Sequence, residues 1–141
     1  MYLCSLNQKK EEGNNIMRVR HQSDNAEQIV ATVVAAMDSI KGKEIVTLDL
    51  RETGTAVTDY FVICHATSKV QVEAIADKVV DEVRDKLGIK PYHIEGKDNT
   101  EWILVDFVDV VVHIFLQSAR SYYQIESLWA DAERIVNQEN N

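Results

Sequence analysis

The chain has 141 residues, 45% of them hydrophobic, which is enough for one domain with an ordinary core. Its 15 basic and 23 acidic residues leave a formal net charge of −8. That balance argues against a domain that grips nucleic acid by its phosphates, so little direct nucleic-acid contact is expected; docking on a basic protein is compatible with it.

Residues 1–22 are polar, rich in Gly, Asn, Lys and Glu, and without periodicity; they predict a disordered tail. Their short apolar start is followed by mixed charge, which is not a signal peptide. No run reaches the roughly 18 apolar residues of a membrane span. A cytoplasmic protein that engages no membrane is expected. The two cysteines, Cys4 and Cys64, form no CxxC and no Cys/His cluster at metal spacing. Cys64 falls in an apolar run and reads as a buried thiol.

The folded domain is expected over residues 23–137. Ser23 or Asp24 can cap a helix, with Glu27 following in capping-box fashion. Ile29, Val30, Val33, Val34, Met37 and Ile40 then recur at helical spacing, and Gly42 ends the helix. Glu44 to Leu50 reads as a strand, and Arg51 to Thr58 as a connection rich in Thr and Gly. Asp59 to Ala66 is nearly all apolar and predicts a strand buried on both faces. Thr67 or Ser68 caps a second helix whose inward face is Val72, Ile75, Ala76, Val79, Val80, Val83 and Leu87, with Gly88 as its stop. Pro91 to Glu95 is a short strand and Gly96 to Thr100 a turn.

Trp102 to Phe115 holds two β-branched runs, WILV and VVVHIF, too short and too branched for one helix. The spacing predicts a tight hairpin with Asp106 and Asp109 at its tip. A last helix is expected from about Ser121 to Asn137, with Ile125, Leu128, Trp129, Ala132 and Ile135 inward, and a frayed end over 138–141. A helix after the second strand implies a crossover to a parallel neighbour, whereas the hairpin is antiparallel. The fold class is therefore α/β (α+β), a single domain with a mixed sheet of about five strands packed by helices.

Chemistry is hard to find. Two carboxylates such as Asp106 and Asp109 can hold Mg²⁺ or share acid–base work, but Asp is also favoured in turns because it bonds nearby backbone N–H groups. His113 has Asp106, Asp109 and Asp59 as candidate partners, yet a lone strand His is usually a hydrogen-bonded core residue. His65 and His93 are likewise single, and His21 lies in the tail. Ser68 opens a helix without the glycines of a P-loop, so capping accounts for it. No Rossmann fingerprint, GxSxG or HExxH occurs. No catalytic residue, metal site or cofactor is expected. The aromatics Trp102, Tyr60, Tyr122, Tyr123 and Trp129 surround the hairpin in sequence. Trp129 and Tyr123 read as core. Trp102 opens a strand after a polar turn, and an exposed Trp beside carboxylates is typical of a protein-binding surface.

Several pieces in order carry a resemblance: DYFVI at Asp59–Ile63, Ser68, AIAD at Ala74–Asp77, Glu95-Gly96, WILVD at Trp102–Asp106, DVVVH at Asp109–His113, and RSYYxIExLW from Arg120 to Trp129. Over about residues 24 to 132 the chain resembles the ribosomal silencing factor family (RsfS, Iojap-like). The resemblance implies a fold related to nucleotidyltransferases without their catalytic motif. It also implies binding to the large ribosomal subunit at universal ribosomal protein fourteen. Occupying that face would block association with the small subunit and repress translation under nutrient limitation. By position it nominates Trp102, Asp106, Asp109, His113, Tyr60, Glu95, Tyr122 and Arg120 as partner-binding residues, with Trp102 first.

Two departures stand out. Many relatives carry Gly at the position of Val108, where a β-branched residue tolerates positive φ poorly, so a different turn type is expected. Ala66 stands for a frequent Gly. A Mg-dependent nucleotidyl or phosphoryl transferase using the Asp pair is the alternative. Such enzymes place a Gly-Ser turn ahead of an Asp-x-Asp strand, whereas this chain has Asp-x-x-Asp across a turn and no Gly-Ser. A homodimer through the apolar sheet edge is a third reading that the sequence leaves open.

Overall fold

The computed structural model describes residues 15–51, 58–123 and 133–136. The chain order is α1 (Asn15–Ser39), β1 (Lys43–Asp49), β2 (Tyr60–Ala66), α2 (Lys69–Leu87), β3 (His93–Glu95), β4 (Trp102–Asp106), β5 (Val110–Leu116), α3 (Gln117–Tyr123) and β6 (Glu133–Val136). The sheet runs β3-β4-β5-β2-β1-β6. β2 and β5 pair in parallel; β1–β2, β1–β6, β3–β4 and β4–β5 are antiparallel. The fold is thus mixed α/β in one domain. The five expected strands are all there, and β6 extends the sheet beyond β1.

Local sequence explains most of these elements. Ser68, in extended conformation, accepts a hydrogen bond from the Gln71 backbone N–H at 3.2 Å and starts α2. Gly88 closes it at φ 69, its N–H donating to the Arg84 carbonyl. The inward side chains of α2 are Val72, Ile75, Ala76, Val79 and Val83, as the helical spacing predicts. At the end of α1 the left-handed residue is Lys41 (φ 67), one before Gly42. The Gly42 N–H reaches the Met37 carbonyl at 2.8 Å and the Lys41 N–H the Asp38 carbonyl at 3.2 Å, a Schellman pair.

Three expectations need correction. Helix α1 begins at Asn15, so residues 15–22 are helical rather than tail, and Ser23 and Asp24 lie inside the helix instead of capping it. Residues 133–136 form a strand, not the end of a helix: their backbone pairs with the outer edge of β1, Val46 with Val136 through Asp49 with Glu133. α3 starts at Gln117, four residues early. Residues 1–14 of the expected tail, residues 52–57 of the connection, residues 124–132 of the expected closing helix and the expected frayed end at 138–141 lie outside the described residues.

Because strand side chains alternate, each strand divides between two faces. On one face Val62, Cys64, Ile103, Val105, Val110, Val112 and Ile114 pack under Ile29, Val33 and Met37 of α1 and Ile75, Val79 and Val83 of α2. Cys64 is the expected buried thiol, and burial pushes it up to about 12. On the other face Val46, Leu48, Ile63, Phe115 and Ala119 of α3 form a second cluster, with Phe61 and Trp102 packed against it.

Candidate functional site

The second face gathers Trp102, Asp106, His113 and Glu95 of the nominated residues. Register decides which they are. Trp102 stands opposite Phe115, Leu104 opposite His113 and Asp106 opposite Val111. Across β5, Phe61 stands beside Val111 and Ile63 beside His113. On the far side of β4, Glu95 meets Leu104 and His93 meets Asp106. Directly opposed residues share a face, so Trp102, Leu104, Asp106, His93, Glu95, Phe61, His113 and Phe115 form one surface.

At its centre is a ring cluster. The Trp102 indole stacks on Phe115 with centroids 5.1 Å apart and 28° between planes. Its Nε1–H donates to His113 Nδ1 at 3.0 Å. His113 meets Phe61 edge-on at 4.6 Å. An indole can only donate, so Nδ1 must be bare and the imidazole proton sits on Nε2. Burial drives the His113 imidazole down to about 3, so the ring stays neutral. Its Nε2 has no partner among the described residues. Trp102 itself is half-buried, as are Leu104 and Phe61. The turn before Trp102 is fixed by Gly96 at φ 93: a Cβ there would collide with the Trp102 carbonyl oxygen.

The hairpin tip carries the Asp pair. Asp106 Oδ1 accepts the Val108 N–H at 2.7 Å, while the Phe107 N–H reaches the Val110 carbonyl at 2.8 Å and the Asp109 N–H the Phe107 carbonyl at 3.0 Å. Val108 takes φ 77, the conformation a glycine would adopt. The turn's hydrogen bonds hold a β-branched residue in a strained region. Asp106 is 2% exposed, and burial raises its carboxyl above the usual carboxylate range. The Asp109 carbonyl receives the N–H groups of Asp59 and Tyr60, which ties the tip to the start of β2. Asp106 is thus a turn acceptor rather than an open ligand. Among the described residues no three His, Cys, Asp or Glu side chains gather as a metal site.

Burial divides the nominated set. Tyr60, Asp106, His113 and Arg120 are 6%, 2%, 2% and 8% exposed. Tyr60 lies on the opposite, helix-covered face, and Arg51 sits over its ring at 5.1 Å. Arg120 reaches from α3 to a bulge in β1, where Glu44 has φ 49. Its Nη1 donates to the Glu44 carbonyl at 2.8 Å and to His65 Nδ1 at 3.0 Å. Glu95 is exposed and bonded to His93 at 2.6 Å, and Asp109 is half-exposed. Tyr122 lies on α3, its side chain outside the described residues. Sequence reasoning missed Phe61, Leu104 and His93. The signal was present: period-2 alternation in WILVD places Leu104 between Trp102 and Asp106 on one face.

Comparisons with known proteins agree on one family. A family model described as "Ribosomal silencing factor during starvation" matches residues 23–141. "Ribosomal silencing factor RsfS" of Bacillus subtilis is 44% identical over 108 residues, covering 77% of this chain and 90% of that protein. "Mitochondrial assembly of ribosomal large subunit protein 1" of Mus musculus is 40% identical over 74 residues, 51% of this chain and 32% of that longer protein. A crystal structure of a Chromobacterium violaceum protein superposes with a TM-score of 0.70 at 33% identity, covering 82% of this chain and 89% of that one.

Proposed function

The chain belongs to the ribosomal silencing factor family, and from that premise we propose that it binds the large ribosomal subunit through universal ribosomal protein fourteen and blocks association with the small subunit. The family's role is regulatory and not enzymatic. The outcome here is repression of translation under nutrient limitation, in the cytoplasm.

One observation carries the reading. The Trp102 indole is held half-exposed on a sheet face shared with Leu104, with Phe61 against the His113 ring and the Glu95 carboxylate on the neighbouring strand. An aromatic anchor among carboxylates suits a basic protein partner, and the net charge of −8 favours its approach. Contact falls to Trp102, Glu95, Asp109 and Tyr122, with Leu104 and Phe61 added. Tyr60, Asp106, His113 and Arg120 keep that surface in shape. The name of the Mus musculus relative, which speaks of large-subunit assembly, supports the choice of subunit. Among the described residues no helix is long and apolar enough to cross a membrane.

The purified chain should co-sediment with free large subunits in a sucrose gradient and inhibit their joining to small subunits, more weakly as salt rises. Trp102→Ala should weaken this by about 2 kcal/mol, roughly thirtyfold in Kd. A folded Trp102→Ala protein that blocks joining at wild-type concentrations removes Trp102 as the anchor.

A further inference from the structure

We propose that His113 is a positioning residue of the docking surface: its bare Nδ1 captures the Trp102 indole N–H and sets the ring in the orientation a partner meets. The inference rests on the docking role proposed for Trp102. His113 stands opposite Leu104, one diagonal step from Trp102, within reach of a large side chain across antiparallel strands. Three restraints then meet on one indole: the 3.0 Å hydrogen bond, the stack on Phe115, and the His113 ring itself at 5.8 Å between centroids.

Two consequences follow. The indole's single polar atom is engaged within the molecule, so the partner meets apolar ring surface. A lysine, arginine or aliphatic side chain suits that surface better than a hydrogen-bond acceptor. The ring is also ordered before the partner arrives, which removes an ordering cost from binding. Burial serves the same end, because a protonated imidazole could not accept the indole N–H.

The experiment measures binding to isolated large subunits and indole N–H exchange by NMR for wild type, Trp102→Ala, His113→Leu and His113→Asn. Trp102→Ala assigns the indole signal. His113→Leu, apolar and of similar size, should lose about tenfold in affinity and exchange its indole proton faster. His113→Asn keeps an oxygen near the Nδ1 position and should stay within about threefold of wild type. If Trp102→Ala binds like wild type, the docking reading itself falls. If Trp102→Ala weakens binding while folded His113→Leu does not, or if Asn fails to rescue, only the positioning role falls. Should the Leu variant not fold, the wild-type ring nitrogens decide: a proton on Nε2 with a coupling across the Trp102–His113 hydrogen bond supports the role, and a proton on Nδ1 overturns it.

Discussion

Along β4 and β5 the chain alternates between two environments. Ile103, Val105, Val112 and Ile114 are sealed under α1 and α2, whereas Trp102, Leu104, Asp106, His113 and Phe115 share the opposite face. The helix-covered side is branched aliphatic and gains its stability from area and close packing. The other side is aromatic and polar and is organised by direction: an indole–imidazole hydrogen bond, a ring stack, a carboxylate capping a turn. Neighbouring residues less than 4 Å apart along the backbone therefore serve different ends, and substitutions on the two faces should separate folding from binding.

The largest expected effect lies on the helix-covered face. Ile114→Ala removes a fully buried side chain and should cost about 3 kcal/mol in urea unfolding, while the protein that remains folded binds the large subunit normally. Lost affinity without lost stability would break the division between faces. Arg120→Met comes next. It leaves the bulge carbonyl of Glu44 without this donor and should cost about 2 kcal/mol by the same measurement.

Val108→Gly sharpens the comparison at the tip. Relief of positive φ in a β-branched residue exceeds the added freedom of the unfolded glycine, so the variant should gain about 1 kcal/mol. A loss of stability would mean that the Val108 side chain packs usefully. The smallest effect is expected for Asp106→Asn, whose amide oxygen can still accept the Val108 N–H. Burial raises the folded carboxyl above its unfolded value, so the native state holds the proton more tightly. Wild-type stability contributed by this group therefore falls as pH rises through the folded value. Asp106→Asn should match wild type in acid and be slightly more stable, by less than about 1 kcal/mol, at neutral pH. A variant that destabilises at neutral pH would show that the charge itself is needed.

Much of this architecture is legible from residue order. Ser68 and Gly88 bracket α2, the branched runs on either side of the Asp pair form the hairpin, and Gly96 opens the turn that precedes it. The quoted motifs also identify the family. What residue order hides is the second neighbour of each side chain. His113 and Asp106 look equally available beside Trp102 in the sequence, and both are buried because β2 and β3 flank them. Residues 133–136 carry apolar positions compatible with a helix, and they form a strand because the open edge of β1 offers backbone partners.

Local chemistry, then, determined by itself the order of the described elements from α1 to β5, the caps of α2 and the branched–aromatic alternation of the central strands. Periodicity and capping act over a few residues, so a linear reading reaches them. Only the tertiary structure decided that Trp102 lends its N–H to His113, that Arg120 secures a bulge in β1 some 76 positions away, and that Val108 is held at φ 77. Those outcomes depend on which strands lie side by side, and strand order is set by the whole core at once.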